Sequence, residues 1–195
     1  MTKNTLLNIA ILISRFLKAS IIIATLVFTT LFVYVQFDKE TFADKEIILS
    51  ADPSIMRVSY IESTVWKEDT KDTDYDMKPY TLGKLKTISL YLNYFKLLII
   101  AVLLFFILRS FQTIMLSVKT LKTFSTKNTK RFRQIAFSIV LITIFTSYNV
   151  LRFDNGEQKL THISLTPVIY IILAFIMAEI FKEGEILREE NDLTI

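Results

Sequence analysis

Long apolar runs separated by polar stretches dominate the pattern of this sequence. A hydrocarbon core about 30 Å thick needs about 20 helical residues at 1.5 Å each, and four runs approach that length. The predicted spans are residues 14–37, 89–111, 134–152 and 166–187. The pattern therefore predicts an all-α integral membrane protein, with four transmembrane helices in a single domain, residues 1–195.

The polar stretches between these spans differ from one another in length and charge. Residues 38–88 form the predicted outside segment, residues 112–133 a basic loop and residues 188–195 an acidic tail. Within the outside segment, Ile55–Ile61 alternates like a strand, and Ile47–Leu49 could pair with it. We therefore predict a small segment with some β-structure between the first two spans.

Composition supports a membrane protein and excludes several kinds of chemistry. The chain is 52% hydrophobic with only 3 glycines, so its apolar excess consists of Ile, Leu and Phe. It has no cysteine and a single histidine, His162, which excludes disulfides, Cys-ligated zinc and His-cluster metal sites. No glycine-rich phosphate cradle and no nucleophile–base pair is recognisable, so we predict a non-enzymatic protein without a cofactor.

Six basic residues and no acid lie between the second and third predicted spans, at Lys119, Lys122, Lys127, Lys130, Arg131 and Arg133. Beside apolar runs, such a patch favours contact with anionic lipid headgroups over direct nucleic-acid binding. Lys and Arg in short loops stay on the cytoplasmic side. With an even number of spans, both termini are then cytoplasmic.

One acid and one base lie at similar depth in the inner half of the predicted bilayer. Glu179 lies about 18 Å along a fourth helix that starts at Pro167, and Arg109 ends the second span. A carboxylate at this depth needs a partner or a proton, so we predict a Glu179–Arg109 pair. Headgroup exposure and a proton or ligand role remain the alternatives.

Two stretches carry a resemblance to a known family. The tail AEIFKEGEILREENDLTI, residues Ala178–Ile195, and the loop TLKTFSTKNTKRFRQIA, residues Thr120–Ala136, resemble the bacterial family called domain of unknown function 2975. In the loop, Phe124 and Asn128 precede a basic entry to the next helix, as in that family. The finish of the tail matches at Glu190, Asn191, Asp192, Leu193, Thr194 and Ile195.

The resemblance implies a protein of the bacterial cytoplasmic membrane with no established activity. Family members are often encoded beside a small helix-turn-helix transcription regulator, so a cytoplasmic regulator is the implied partner. We therefore predict a regulatory or sensory protein whose docking residues are Phe124, Asn128, Glu190, Asn191, Asp192, Leu193 and Thr194. The alternatives left open are a subunit of a transporter or of an oligomeric channel, and a homo-oligomer.

Overall fold

The computed structural model describes residues 3–38, 40–47, 49, 56–66, 80–121 and 123–193. Its helices are α1 (Lys3–Phe37), α2 (Thr87–Lys119), α3 (Thr126–Ser147) and α4 (Leu165–Leu193). Its strands are β1 (Arg57–Val65), β2 (Tyr148–Phe153) and β3 (Gly156–Ser164). The chain is thus mostly helical, with one small sheet.

Three helices of the described chain, α1, α2 and α4, are long and apolar enough to cross a bilayer. Many of their large apolar side chains are exposed, among them Leu12, Phe16, Leu92 and Tyr170. Such exposure is unfavourable in water but suits a helix whose solvent is lipid. These helices agree with the predicted first, second and fourth spans.

The prediction for residues 134–152 is wrong in its last part. α3 ends at Ser147, and the next six residues form β2 instead of the last turn of a helix. The apolar part of α3, residues 134–147, is about 21 Å long at 1.5 Å per residue, which is less than a bilayer core. The helix also carries four basic residues among its first eight and is not among the candidate spans.

The sheet is antiparallel, with strand order β1-β3-β2. The strand predicted at Ile55–Ile61 is confirmed from Arg57 onward, but its partner is β3, with Arg57 opposite Ser164. The predicted partner, Ile47–Leu49, is wrong as far as it is described, since the amide of Ile47 donates to the carbonyl of Tyr80. Ile48 and Ile55 lie outside the described residues. β-Branched and aromatic side chains favour strands, and β3 supplies the partner that β1 needs.

The chain divides into two compact units. The first unit combines Met1–Thr25, Ile100–Thr143 and Leu165–Ile195, and its apolar core contains Ile114, Ile135, Ala136, Ala174 and Phe181. The second unit combines Leu26–Ile99 with Ile144–Ser164 and includes the sheet. Phe153 is fully buried in that second unit.

Candidate functional site

The turn between α2 and α3 is built around a buried amide. Asn128 is fully buried, and its Nδ2 donates to the Ser117 hydroxyl and to the Thr123 carbonyl, each at 2.8 Å. Its Oδ1 accepts from Arg131 Nη1 at 3.0 Å. Because buried polar atoms are costly when unpaired, these bonds fix the turn to the end of α2 and the start of α3.

The end of α2 uses a left-handed residue that is not glycine. Leu121 has φ 60°, and its amide donates to the carbonyl of Val118. Glycine is the usual residue at such a helix end, because its missing side chain removes the steric penalty. Leu121 therefore keeps the turn tight at some cost in backbone strain. The predicted topology residue Lys122 lies outside the described residues.

The tail end of α4 holds the first residue of α3. Oε1 of Glu185 accepts from the backbone amide of Thr126 at 2.6 Å and from its hydroxyl at 2.7 Å. A carboxylate placed there satisfies an amide that has no partner within the helix and complements the positive end of the helix dipole. Arg188 Nη1 donates to the carbonyl of Phe124 at 3.1 Å. The end of α4 thus caps the start of α3.

A glycine lets an aromatic ring close this contact. The ring of Phe124 packs against that of Phe181, with centroids 5.6 Å apart. A Cβ at Gly184 would lie 2.3 Å from Cδ1 of Phe124, so any side chain there would push the ring away. We call this arrangement the turn–tail cluster, and it consists of Phe124, Thr126, Asn128, Phe181, Gly184, Glu185 and Arg188.

The predicted Glu179–Arg109 pair is wrong. Oε2 of Glu179 lies 3.3 Å from Arg133 Nη2, and Oε1 lies 2.7 Å from Lys182 Nζ. Similar depth in the membrane does not place two side chains on facing sides of their helices. All three partners of this network are well exposed, so its ion pairs contribute little to stability.

Arg109 lines a cavity of about 840 Å³ within the first unit. Two further guanidinium groups line it, those of Arg131 and Arg133, together with three phenylalanine rings and several hydroxyl groups. No Asp or Glu is among the residues that line it. We call it the basic cavity. It can accept an anion with an apolar part.

The other predicted site residues are distributed over the surface. Lys119 donates to Oδ1 of Asn8 at 2.8 Å, while Lys127 and Lys130 are exposed. In the tail, exposed positions are Glu190, Asn191 and Leu193. Thr194 and the side chain of Asp192 lie outside the described residues. The exposed tail residues remain predicted docking residues, whereas Asn128 is not one, because its side chain is buried and shapes the turn.

Sequence reasoning missed the residues that hold the turn, namely Ser117, Thr126, Glu185 and Gly184. Thr126 at the start of a helix is a typical cap signal and could have been found. The role of Glu185 could not, because it contacts residue 126 from another helix.

The three long apolar helices make this chain a multi-pass membrane protein. The family model described as "Protein of unknown function (DUF2975)" matches residues 65–195, and the chain belongs to that family. The match includes both stretches of the turn–tail cluster and confirms the resemblance seen in them. Comparisons with curated proteins and with solved structures gave no match.

Proposed function

We propose that this is a non-enzymatic regulatory protein of the bacterial cytoplasmic membrane, which crosses the bilayer four times with both termini inside. Basic residues at the end of α2 and in the first turns of α3 support a cytoplasmic position for this end of both helices. The apolar residues 134–147 of α3, which follow its basic start, support α3 as a fourth, short crossing.

The observation that carries a docking function is the turn–tail cluster. It joins a loop and a tail that are 59 residues apart at the Thr126–Glu185 bond. Loop and tail therefore present one cytoplasmic surface with a fixed geometry. A fixed surface lowers the entropy cost of binding a partner.

Charge indicates what kind of partner this surface suits. Past the capping residue Glu185, the end of α4 exposes Glu189 and Glu190. A basic DNA-binding protein, such as a helix-turn-helix regulator, has the complementary charge. Docking would hold that regulator at the membrane, away from DNA.

Co-purification tests this proposal directly. The protein is reconstituted in nanodiscs and incubated with a purified helix-turn-helix regulator encoded in the same transcript. Binding is expected for the intact chain and is expected to weaken at least about fivefold in Glu189→Gln/Glu190→Gln. The matched control, Asp44→Asn/Glu46→Gln, makes the same charge change in the outside segment, and we expect it to bind normally.

Two outcomes would contradict docking. If the intact chain retains no regulator, the docking proposal is refuted. If the control variant loses binding equally, the net charge of the protein explains the binding, and the surface at the end of α4 does not. Conductance of liposomes carrying the purified protein, lost in Glu179→Gln, would instead support the channel alternative.

A further inference from the structure

The basic cavity collects positive charge, and among the described residues Arg133 alone of its three arginines has an ion-pair partner, Glu179. Arg109, Arg131 and Arg133 line it, and the lining includes no carboxylate. Like charges repel one another, so an anion in the cavity lowers the free energy of the site. The bond from Arg131 to buried Asn128 also fixes one of the three guanidinium groups in position.

The hydrogen-bonding groups suit a phosphate. Guanidinium presents its N–H donors in a planar fork that binds phosphate oxygens in pairs. Ser110 and Ser138 add hydroxyl groups and Gln134 adds an amide to the same lining. The polar part of the cavity therefore matches a phosphate group better than a bare halide.

The apolar part of the cavity indicates where that phosphate comes from. The rings of Phe106, Phe137 and Phe175 line it and are 50%, 62% and 46% exposed. Arg109 directly follows the apolar run of α2, and Arg133 directly precedes that of α3. These two guanidinium groups thus lie at the ends of apolar runs, where a membrane helix meets the headgroup region.

We propose that the basic cavity binds one anionic phospholipid, with its phosphate on the three arginines and its acyl chains along the three phenylalanine rings. Basic pockets between membrane helices on the cytoplasmic side are suited to such headgroups. This site is independent of the docking proposal, because none of the exposed tail acids lines it.

Glu179 competes with the lipid for one of these arginines. Its carboxylate lies 3.3 Å from Arg133 Nη2, although it does not line the cavity. Both side chains of that pair are 53% exposed, so the pair can exchange. Removing the carboxylate leaves Arg133 available to the phosphate, and binding tightens.

A lipid titration tests the site. The full chain in mild detergent is melted while phosphatidylglycerol is titrated, with phosphatidylcholine and inorganic phosphate in parallel arms. A saturable rise in Tm is expected with phosphatidylglycerol alone, since a ligand of the folded state stabilises it. Native mass spectrometry is expected to show one retained phosphatidylglycerol for each protein.

The variants separate a built site from diffuse surface charge. The half-saturating lipid concentration is expected to rise about tenfold or more in Arg109→Gln and in Arg133→Gln. It is expected to rise at most about fivefold in the matched controls Lys127→Gln and Lys130→Gln, whose charges belong to the same basic stretch. In Glu179→Gln it is expected to fall.

Three results would overturn the proposal. Equal losses in the arginine and lysine variants would mean diffuse attraction only. Equal stabilisation by inorganic phosphate would assign the cavity to a free anion. Unchanged or weaker lipid binding in Glu179→Gln would refute the competition between Glu179 and the phosphate. This variant keeps all three arginines, so its result does not depend on whether an arginine is needed for folding.

Discussion

At the scale of single residues, Asn128 shows how a motif residue can act within the fold. The amide is fully buried, and both of its polar atoms are paired. The sequence located it in a loop and favoured a partner outside the chain. Its hydrogen bonds show instead that it holds the loop in shape.

Replacement of Asn128 is expected to destabilise the isolated protein. Asn128→Ala leaves the carbonyl of Thr123 and Arg131 without their partner, so the free energy of unfolding falls by about 2 kcal/mol. Thermal unfolding in detergent measures this loss, with Lys130→Ala as an exposed control in the same helix. If Asn128 served a partner directly, the isolated protein would keep its stability.

Leu121 gives a prediction of the opposite sign. Its φ of 60° suits glycine, and its side chain is 81% exposed, so Leu121→Gly loses little packing. We expect a gain of about 1 kcal/mol in the free energy of unfolding. Leu121→Ala retains a Cβ and is the control. An equal gain in both variants would point to the lost apolar side chain rather than to backbone strain.

At the scale of elements, α4 is both a membrane helix and the cap of α3. Glu185 supplies the cap, and Gly184 supplies the space for Phe124. A glycine inside a helix ordinarily suggests weakness or a hinge. Here the helix continues to Leu193, and the glycine permits close packing.

A double-mutant cycle at Gly184 separates these two roles. Gly184→Ala is expected to destabilise the protein, because the new Cβ would lie 2.3 Å from the Phe124 ring. In a Phe124→Ala background the ring is absent, and the same change is expected to stabilise by about 1 kcal/mol through helix propensity. Thermal unfolding of the four proteins gives the coupling energy. The same sign in both backgrounds would refute the packing role.

The sheet carries its own charge pair, in the second unit. Lys159 Nζ lies 2.5 Å from Glu157 Oε1, and Arg152 lies 3.8 Å from Oε2. The hydrogen bond from Lys159, helped by the charges of Lys159 and Arg152, lowers the pKa of Glu157 although partial burial opposes this. The ionised carboxylate is thus favoured by the folded sheet.

That lowered pKa predicts how stability depends on pH. The unfolded carboxyl titrates near 4.5, so the contribution of Glu157 is fully present above that pH and is lost as the pH falls through its lower folded pKa. The difference in Tm between the natural protein and Glu157→Gln is therefore expected to shrink as the pH falls below about 4.5. In a Lys159→Met background that difference is expected to be smaller above about pH 4.5 and to converge with that of the natural background in acid. A constant difference down to acid pH would contradict the pairing.

At the scale of the whole molecule, membrane orientation is the property on which both proposals depend. The chain has no cysteine, so single cysteines can be introduced without background. In intact cells an impermeant maleimide is expected to label Glu62→Cys in β1 but not Lys127→Cys in α3. After lysis both are expected to react. Labelling of Lys127→Cys in intact cells would reverse the predicted topology.

Hydropathy and short motifs are local properties, so they were sufficient to identify the membrane class, the three long spans and the family. The sequence also located Phe124, Asn128 and the tail within two stretches that belong together. The position of Lys and Arg along the chain is also a local property, and it predicts the orientation of the protein in the membrane.

Contacts between distant residues became known from the three-dimensional fold. In the fold, α3 ends at Ser147 because Tyr148–Phe153 pair with β3. The length of an apolar run does not reveal this pairing. The fold paired Glu179 with Arg133 and brought Arg109 to the basic cavity, because the facing sides of neighbouring helices depend on packing between distant segments. It joined the start of α3 to the end of α4 through Glu185, for the same reason.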